Sequence, residues 1–140
     1  MVQAVAGVPL TVYGKGGQTR GYLNLKDTLQ CVGLAVDFPA DRGELRVFNQ
    51  FTEQFTVNEL AEKVSAAGES MGLEVKINSI PNPRKELEDH YYNAQSKGLL
   101  ALGLKPNYMT NEVLVEMLEK IIKHKDQIKS NLIMPRVSWS

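Results

Sequence analysis

Cysteine and tryptophan each occur once and histidine twice in this chain of 140 residues. The lone Cys31 excludes an internal disulfide, and its place on an apolar helix face marks a small core residue rather than a reactive thiol. His90 stands among Glu86, Glu88 and Asp89, but only His124 remains as a second imidazole and the spacing fits no common zinc pattern. No metal is expected. Neither charge sign is in excess, since 16 Lys and Arg face 16 Asp and Glu for a formal net charge of +0. That balance argues against a nucleic acid or a membrane surface as a charge-held partner. No apolar run approaches a membrane span, and the first residues lack the basic-then-apolar order of a secretory signal. There is no Gly-x-x-Gly-x-x-Gly turn, no Gly-Lys-Ser/Thr of a P-loop and no nucleophile with a recognisable partner. Internal repeats and low-complexity segments are also missing.

Hydrophobic residues make up 43% of the chain, enough for one domain with a real core and too many for disorder. The stretch around which the rest is organised is Thr11-Val12-Tyr13-Gly14-Lys15-Gly16-Gly17-Gln18-Thr19-Arg20-Gly21-Tyr22. It reads as a strand end, a glycine-rich loop and a new strand. Glycines let main-chain N–H groups approach a bound anion, and Arg20 adds a planar charge able to grip phosphate oxygens in pairs. Read by itself, such a stretch is more often a solvated hairpin loop.

The order of elements predicts an α/β fold. Residues 1–9 look like the last turn of a helix, capped by Gly7 and stopped by Pro9. So short a helix cannot nucleate alone, so the chain is expected to be the C-terminal part of a longer protein. Asp27 is expected to cap a helix ending near Asp37, with Leu29, Val32 and Val36 at core spacing. Leu45-Arg46-Val47-Phe48-Asn49 reads as the clearest strand, with Asn49 and Gln50 at its ligand-facing end. Thr56-x-x-Glu59 is a capping box opening a helix that carries Leu60, Val64, Ala67 and Met71 on one face. Glu74 to Ile80 alternates as a half-buried strand would. Pro81-Asn82-Pro83-Arg84 must be extended, with Arg84 projecting. Asn93 is expected to cap a helix through Leu102, and Thr110 or Asn111 to open a last helix with an apolar face from Val113 to Ile128. Lys120, Lys123, Lys125 and Lys129 form its solvated side, and the tail from Ile133 is expected to be irregular, with Trp139 packing back.

Three blocks together resemble the UDP-sulfoquinovose synthase family of extended short-chain dehydrogenases/reductases. They are Val12 to Leu23, Arg46-Val47-Phe48-Asn49-Gln50-Phe51-Thr52-Glu53-Gln54-Phe55, and Pro81-Asn82-Pro83-Arg84 followed by Glu88-Asp89-His90-Tyr91-Tyr92-Asn93. Met134-Pro135 with Val137-Ser138-Trp139 is similar to the family's end region. The resemblance implies the last strands and helices of a Rossmann-type sheet plus a small substrate domain over residues 1–140. It implies that Arg20 and Arg84 hold a UDP-sugar pyrophosphate, that Tyr13 and Gln18 line the pocket, and that Asn49 and Gln50 stand near it. For Arg84 the residues alone fit an ion pair with Glu86 or Glu88 as well.

The family reaction forms UDP-sulfoquinovose, a sulfolipid precursor, from UDP-glucose and sulfite with bound NAD. The Rossmann half that binds NAD is expected to lie outside this chain. The one match to the catalytic Tyr-x-x-x-Lys, Tyr22 to Lys26, runs from a strand into a helix cap, where the two would stand about 13 Å apart. It is therefore rejected as the catalytic pair. The chain is expected to be inactive alone, to pair with a companion Rossmann-half chain or belong to a homodimeric full-length enzyme, and to work in a cyanobacterial-type cytoplasm or the chloroplast stroma. Another nucleotide-sugar epimerase or dehydratase, or a non-catalytic UDP-sugar-binding subunit, are the alternatives.

Overall fold

A computed structural model of the chain describes residues 1–82 and 94–135. It divides into two compact units, one built from residues 1–18, 56–82 and 110–135, the other from 19–55 and 94–109.

The first unit opens with α1 (Val2–Ala6), stopped by Gly7 in the left-handed conformation at φ 76° as the sequence predicts. β1 (Leu10–Tyr13) and β4 (Ile77–Ile80) form a two-stranded parallel sheet, with Leu10 opposite Ile77 and Tyr13 opposite Ile80. The strand at 74–80 is thus shorter than expected and less buried, since Ile77 is exposed and only Val75 is shielded. α3 (Val57–Ser70) packs on both strands, and α5 (Asn111–Ile122) packs on α3 and α1. The capping box is complete: Thr56 Oγ1 accepts from the Glu59 N–H at 3.1 Å and Glu59 accepts from the Thr56 N–H at 2.7 Å. The bonds the Glu59 carboxyl accepts, from the Thr56 backbone N–H foremost and from the Thr56 hydroxyl at 3.0 Å, hold it below its ordinary pKa. Val5, Leu10, Val12, Val64, Ala67, Leu114 and Leu118 are buried here.

The last helix stops earlier than its apolar pattern. After α5, capped by Thr110, the chain breaks into a 3-10 turn (Lys125–Gln127) and α6 (Ser130–Ile133). Met117 and Ile122 are exposed, and the lysines stand in solvent as expected. Val2, Ile121, Ile128 and Leu132 line an open apolar groove of about 590 Å³ at this end.

The second unit holds β2 (Thr19–Tyr22), α2 (Leu25–Asp37), β3 (Glu53–Thr56, whose last residue begins the first unit) and α4 (Lys97–Ala101). β2 pairs with β3, and the Tyr22 and Phe55 rings lie 5.7 Å apart. Its core is a small cluster of Cys31, Leu99 and Leu104, with Leu23, Leu34 and Phe48 against it. Burial raises the Cys31 thiol pKa, with the Asp27 charge adding to it, as suits an inert core thiol.

Four expectations fail in this unit. Asn24, not Asp27, caps α2 by accepting from the Lys26 N–H at 3.0 Å. Asp27 lies one turn in and fully buried, where it accepts from the Asn107 N–H at 2.9 Å and from the Gln30 amide at 3.0 Å. A buried carboxylate needs such donors, and a partner 80 residues away is invisible to local pattern. Leu29, Val32 and Val36 are exposed instead of buried, because α2 turns Asp27, Cys31 and Leu34 inward. Leu45 to Asn49 is not a strand: a ladder needs a neighbour, and among the described residues this segment pairs with none. α4 begins only at Lys97, after Ser96, while the expected cap Asn93 lies outside the described residues, as do Trp139 and the His90 cluster.

Candidate functional site

The glycine loop between β1 and β2 is fixed by contacts its own sequence does not contain. Gly14 and Gly16 sit at φ 65° and 68°, a region that side chains with a Cβ resist. The Gly14 N–H donates to the Ile80 carbonyl at 2.8 Å. Asn58, in the first turn of α3, clamps the other side. Its side-chain amide donates to the Lys15 carbonyl at 2.9 Å and its backbone N–H to the Gly16 carbonyl at 3.1 Å. A Cβ on Gly16 would meet the Asn58 side chain and Val12. Sequence reading passed over Asn58; its one signal is an amide two residues after a helix cap, where local backbone binding is common.

Tyr13 ends β1, half-buried, and Gln18 closes the loop; both belong to the first unit. The side-chain oxygen of Gln18 is shielded from solvent and has no hydrogen-bond partner among the described residues. A buried acceptor left open carries a desolvation cost that a ligand donor would relieve. Arg20 belongs to the second unit, exposed on β2, with Nη1 donating to the Thr19 carbonyl at 3.0 Å. The rest of its guanidinium edge offers further N–H donors, as a phosphate contact requires.

Asn49 and Gln50 were expected at the end of a strand that does not form. Asn49 is instead tied to residues 95–96: its side-chain amide donates to the Gln95 carbonyl at 2.9 Å and its backbone carbonyl accepts from the Ser96 hydroxyl at 3.1 Å. That is a structural use of the side chain. Gln50 is exposed beside it. Arg84 lies outside the described residues.

The loop does not fit a dinucleotide cofactor. That fingerprint leads from a strand into a helix whose N-terminus takes the pyrophosphate. Here the residues after the loop form β2, and Gly14, Gly16, Gly17 and Gly21 have the wrong spacing. Tyr22 on β2 and Lys26 in α2 do not share a helix, so they are not a catalytic tyrosine–lysine pair. No group of three or more His, Cys, Asp or Glu able to hold a metal occurs among the described residues. No helix among them is long and apolar enough to cross a membrane.

No model of a known protein family matches the chain. Three curated relatives do, of which two are described. It is 56% identical over 138 residues to the chloroplastic UDP-sulfoquinovose synthase of Spinacia oleracea, covering 99% of this chain and 29% of that protein. It is 44% identical over 140 residues to the UDP-sulfoquinovose synthase of Sulfolobus acidocaldarius, covering 99% of this chain and 36% of that one. The chain thus spans about a third of the length of the relatives it matches.

Solved structures agree in fold. UDP-glucose 4-epimerase of Thermotoga maritima with UDP-glucose superimposes with a TM-score of 0.67 at 20% identity, covering 91% of this chain and 38% of that one. UDP-N-acetylglucosamine 4-epimerase of Methanobrevibacter ruminantium, in complex with UDP-N-acetylmuramic acid, gives 0.67 at 19%, covering 89% and 39%. UDP-glucuronic acid 4-epimerase of Bacillus cereus with NAD gives 0.64 at 16%, covering 92% and 38%. Over 99% of its length the chain is therefore similar to a part of UDP-sulfoquinovose synthase, and it shares the Rossmann-type fold of the nucleotide-sugar epimerases.

Proposed function

We propose that residues 1–140 are the C-terminal, substrate-binding portion of a UDP-sulfoquinovose synthase. The observation that carries this reading is the identity of 56% and 44% to two such synthases across 99% of the chain. The whole enzyme would form UDP-sulfoquinovose from UDP-glucose and sulfite. NAD, held by the part of the enzyme outside this chain, supplies reversible oxidation of the sugar. The chain's own residues hold the nucleotide sugar. Arg20 and Arg84 place guanidinium donors on the diphosphate, which favours the paired geometry of that group. The unpartnered oxygen of Gln18 takes a hydrogen bond from a ligand hydroxyl or N–H, and Tyr13 forms a wall. Asn49 and Gln50 border the site from a segment that serves mainly to hold residues 95–96.

Without the cofactor half the chain is inactive. That half comes from the same polypeptide or from a companion chain, and the complete enzyme is a homodimer. A plastid stroma fits the chloroplastic relative, and a cyanobacterial-type cytoplasm the same reaction elsewhere.

The test is calorimetric titration of UDP-glucose into the chain, wild type and Arg20→Ala. Saturable binding that weakens by about tenfold or more in the variant supports the reading. No binding by a folded chain, and none after the remainder of the spinach relative is added, overturns it. The 4-epimerase folds among the structural neighbours favour a second reading, a part of such an epimerase. That chain would take UDP-galactose as tightly as UDP-glucose in the same titration.

A further inference from the structure

The two hydrogen bonds of Asn58 do more than hold the glycine loop in place; they fix which way its peptide groups face. Asn58 is half-buried in the first turn of α3. Its backbone N–H is one of the first donors of the helix, which find no acceptor inside it. The Thr56 and Glu59 box serves other donors, so this N–H reaches the Gly16 carbonyl at 3.1 Å while the side-chain amide takes the Lys15 carbonyl at 2.9 Å.

A peptide group is planar and trans, with its C=O and its N–H on opposite sides. The Lys15 carbonyl faces Asn58, so the Gly16 N–H in the same plane faces away from it. The Gly16 carbonyl also faces Asn58, so the Gly17 N–H faces away as well. Two consecutive donors thus stand on the side of the loop turned from α3. Through this turn φ alternates in sign, positive at Gly14 and Gly16 and negative at Lys15. In such an arrangement successive N–H groups line a concavity that takes an anionic oxygen.

Among the described residues neither N–H meets an acceptor, although Gly16 is buried. A buried backbone donor is seldom left so. Gly17 is exposed, and a Cβ built on it would meet none of the described residues within 4 Å, so the loop is open there. The unpartnered oxygen of Gln18 follows directly in the chain. Two donors and an acceptor within three consecutive residues are therefore left for a polar ligand.

We infer that Asn58 is a positioning residue of the substrate site: without touching the ligand, it aims the Gly16 and Gly17 N–H groups as a pair at an acceptor oxygen of the nucleotide sugar. This rests on the functional reading above and deepens it, since affinity then depends on a residue 43 positions beyond Lys15. Donors held in place before the ligand arrives require little ordering on binding, whereas a loose glycine loop must surrender its backbone freedom at that moment.

Calorimetric titration of UDP-glucose into the chain compares wild type, Asn58→Ala, Asn58→Asp and Thr56→Ala. Asn58→Asp keeps the shape of the side chain, but its carboxylate has no donor for the Lys15 carbonyl. Thr56→Ala loosens the same end of α3 by breaking the capping box and leaves both Asn58 contacts in place, so it separates positioning from general destabilisation. The expected result is binding about fivefold weaker in both Asn58 variants and unchanged in Thr56→Ala. Amide NMR without ligand gives the second readout: the Gly16 order parameter should fall from about 0.85 to below about 0.6 in Asn58→Ala and hold in Thr56→Ala. Asn58 variants that bind as wild type does, or no worse than Thr56→Ala, overturn the inference while UDP-glucose binding by the wild type stands. A Gly16 amide as rigid in Asn58→Ala as in wild type overturns it too, with or without ligand binding. If the wild type binds no UDP-glucose alone, the titration is repeated with the spinach relative lacking its matched 138 residues. No binding there overturns the functional reading, and with it the assignment of the donor pair to a nucleotide sugar.

Discussion

The two units solve the same problem with different means. The first is held by apolar packing: α3, α5 and α1 close around Val5, Val12, Val64, Ala67 and Leu118. Among the described residues the second has a smaller core, a cluster of Cys31, Leu99 and Leu104 with partial neighbours and Phe51 buried besides, and it adds polar stitches. Asp27 holds Asn107, Gln30 donates to the Lys105 carbonyl at 3.0 Å, and Glu53 accepts from the Met109 N–H at 2.6 Å. Side chains that bind distant backbone fix loop positions well, but each contributes about 1 kcal/mol net, against roughly 1.5–3 for a fully buried aliphatic side chain.

Breaking the first unit should have the largest effect. Leu118 is wholly buried, so Leu118→Ala should lower the unfolding free energy by roughly 2–5 kcal/mol in urea titration. Leu29→Ala, the same deletion on exposed α2, should change it by less than about 0.5 kcal/mol. Comparable losses at both sites would erase the distinction between the units.

The polar stitching is tested next. Asp27→Ala leaves the Asn107 N–H and the Gln30 amide without their acceptor and should cost about 2–3 kcal/mol. Hydrogen exchange should report the loss at residues 105–107 before it reports any change in α3.

Removing the capping box returns to the first unit with a smaller change. Thr56→Ala should cost about 1 kcal/mol. Its partner gives a pH signature. Glu59 titrates below its usual value in the folded chain, so it binds protons less readily there than in the unfolded chain. Its contribution is therefore complete above the unfolded carboxyl pKa of about 4.3 and fades as pH falls through the folded value. Urea midpoints between pH 7 and pH 3 should drop less in Glu59→Gln than in wild type, other carboxyls being common to both.

The smallest effect belongs to the exposed pair of Lys120 and Glu116 on α5, 2.8 Å apart. Lys120→Ala should shift stability by no more than about 0.5 kcal/mol, and less in high salt. A larger loss would show that the polar face of α5 does more than meet solvent.

Several local features were read correctly, though the α2 cap was placed at Asp27 instead of Asn24. Gly7, the Thr56 and Glu59 box and the Thr110 cap each depend on residues within one turn, so a short window of sequence contains their whole cause. The glycine loop was legible as a loop for the same reason. Its clamp by Asn58 was not, because that contact joins residues 43 positions apart. The misreadings of the α2 face and of residues 45–49 share a cause. Periodicity tells that α2 and 45–49 carry apolar residues, but not which of two apolar faces meets the core, nor whether a strand has a neighbour.

The sequence by itself determined the Gly7, Thr56 and Thr110 caps, the α3 core face, the glycine loop and the likeness of 99% of the chain to a part of a synthase, since these reside in residue identity and short-range order. Only the tertiary structure decided that Asp27 is a buried anchor and not a cap, that Asn49 ties down residues 95–96, that the Gln18 oxygen is shielded and without a partner among the described residues, and that α2 turns four large apolar residues outward. Burial and hydrogen-bond partnership are properties of pairs of distant residues, and the chain must close on itself before either exists.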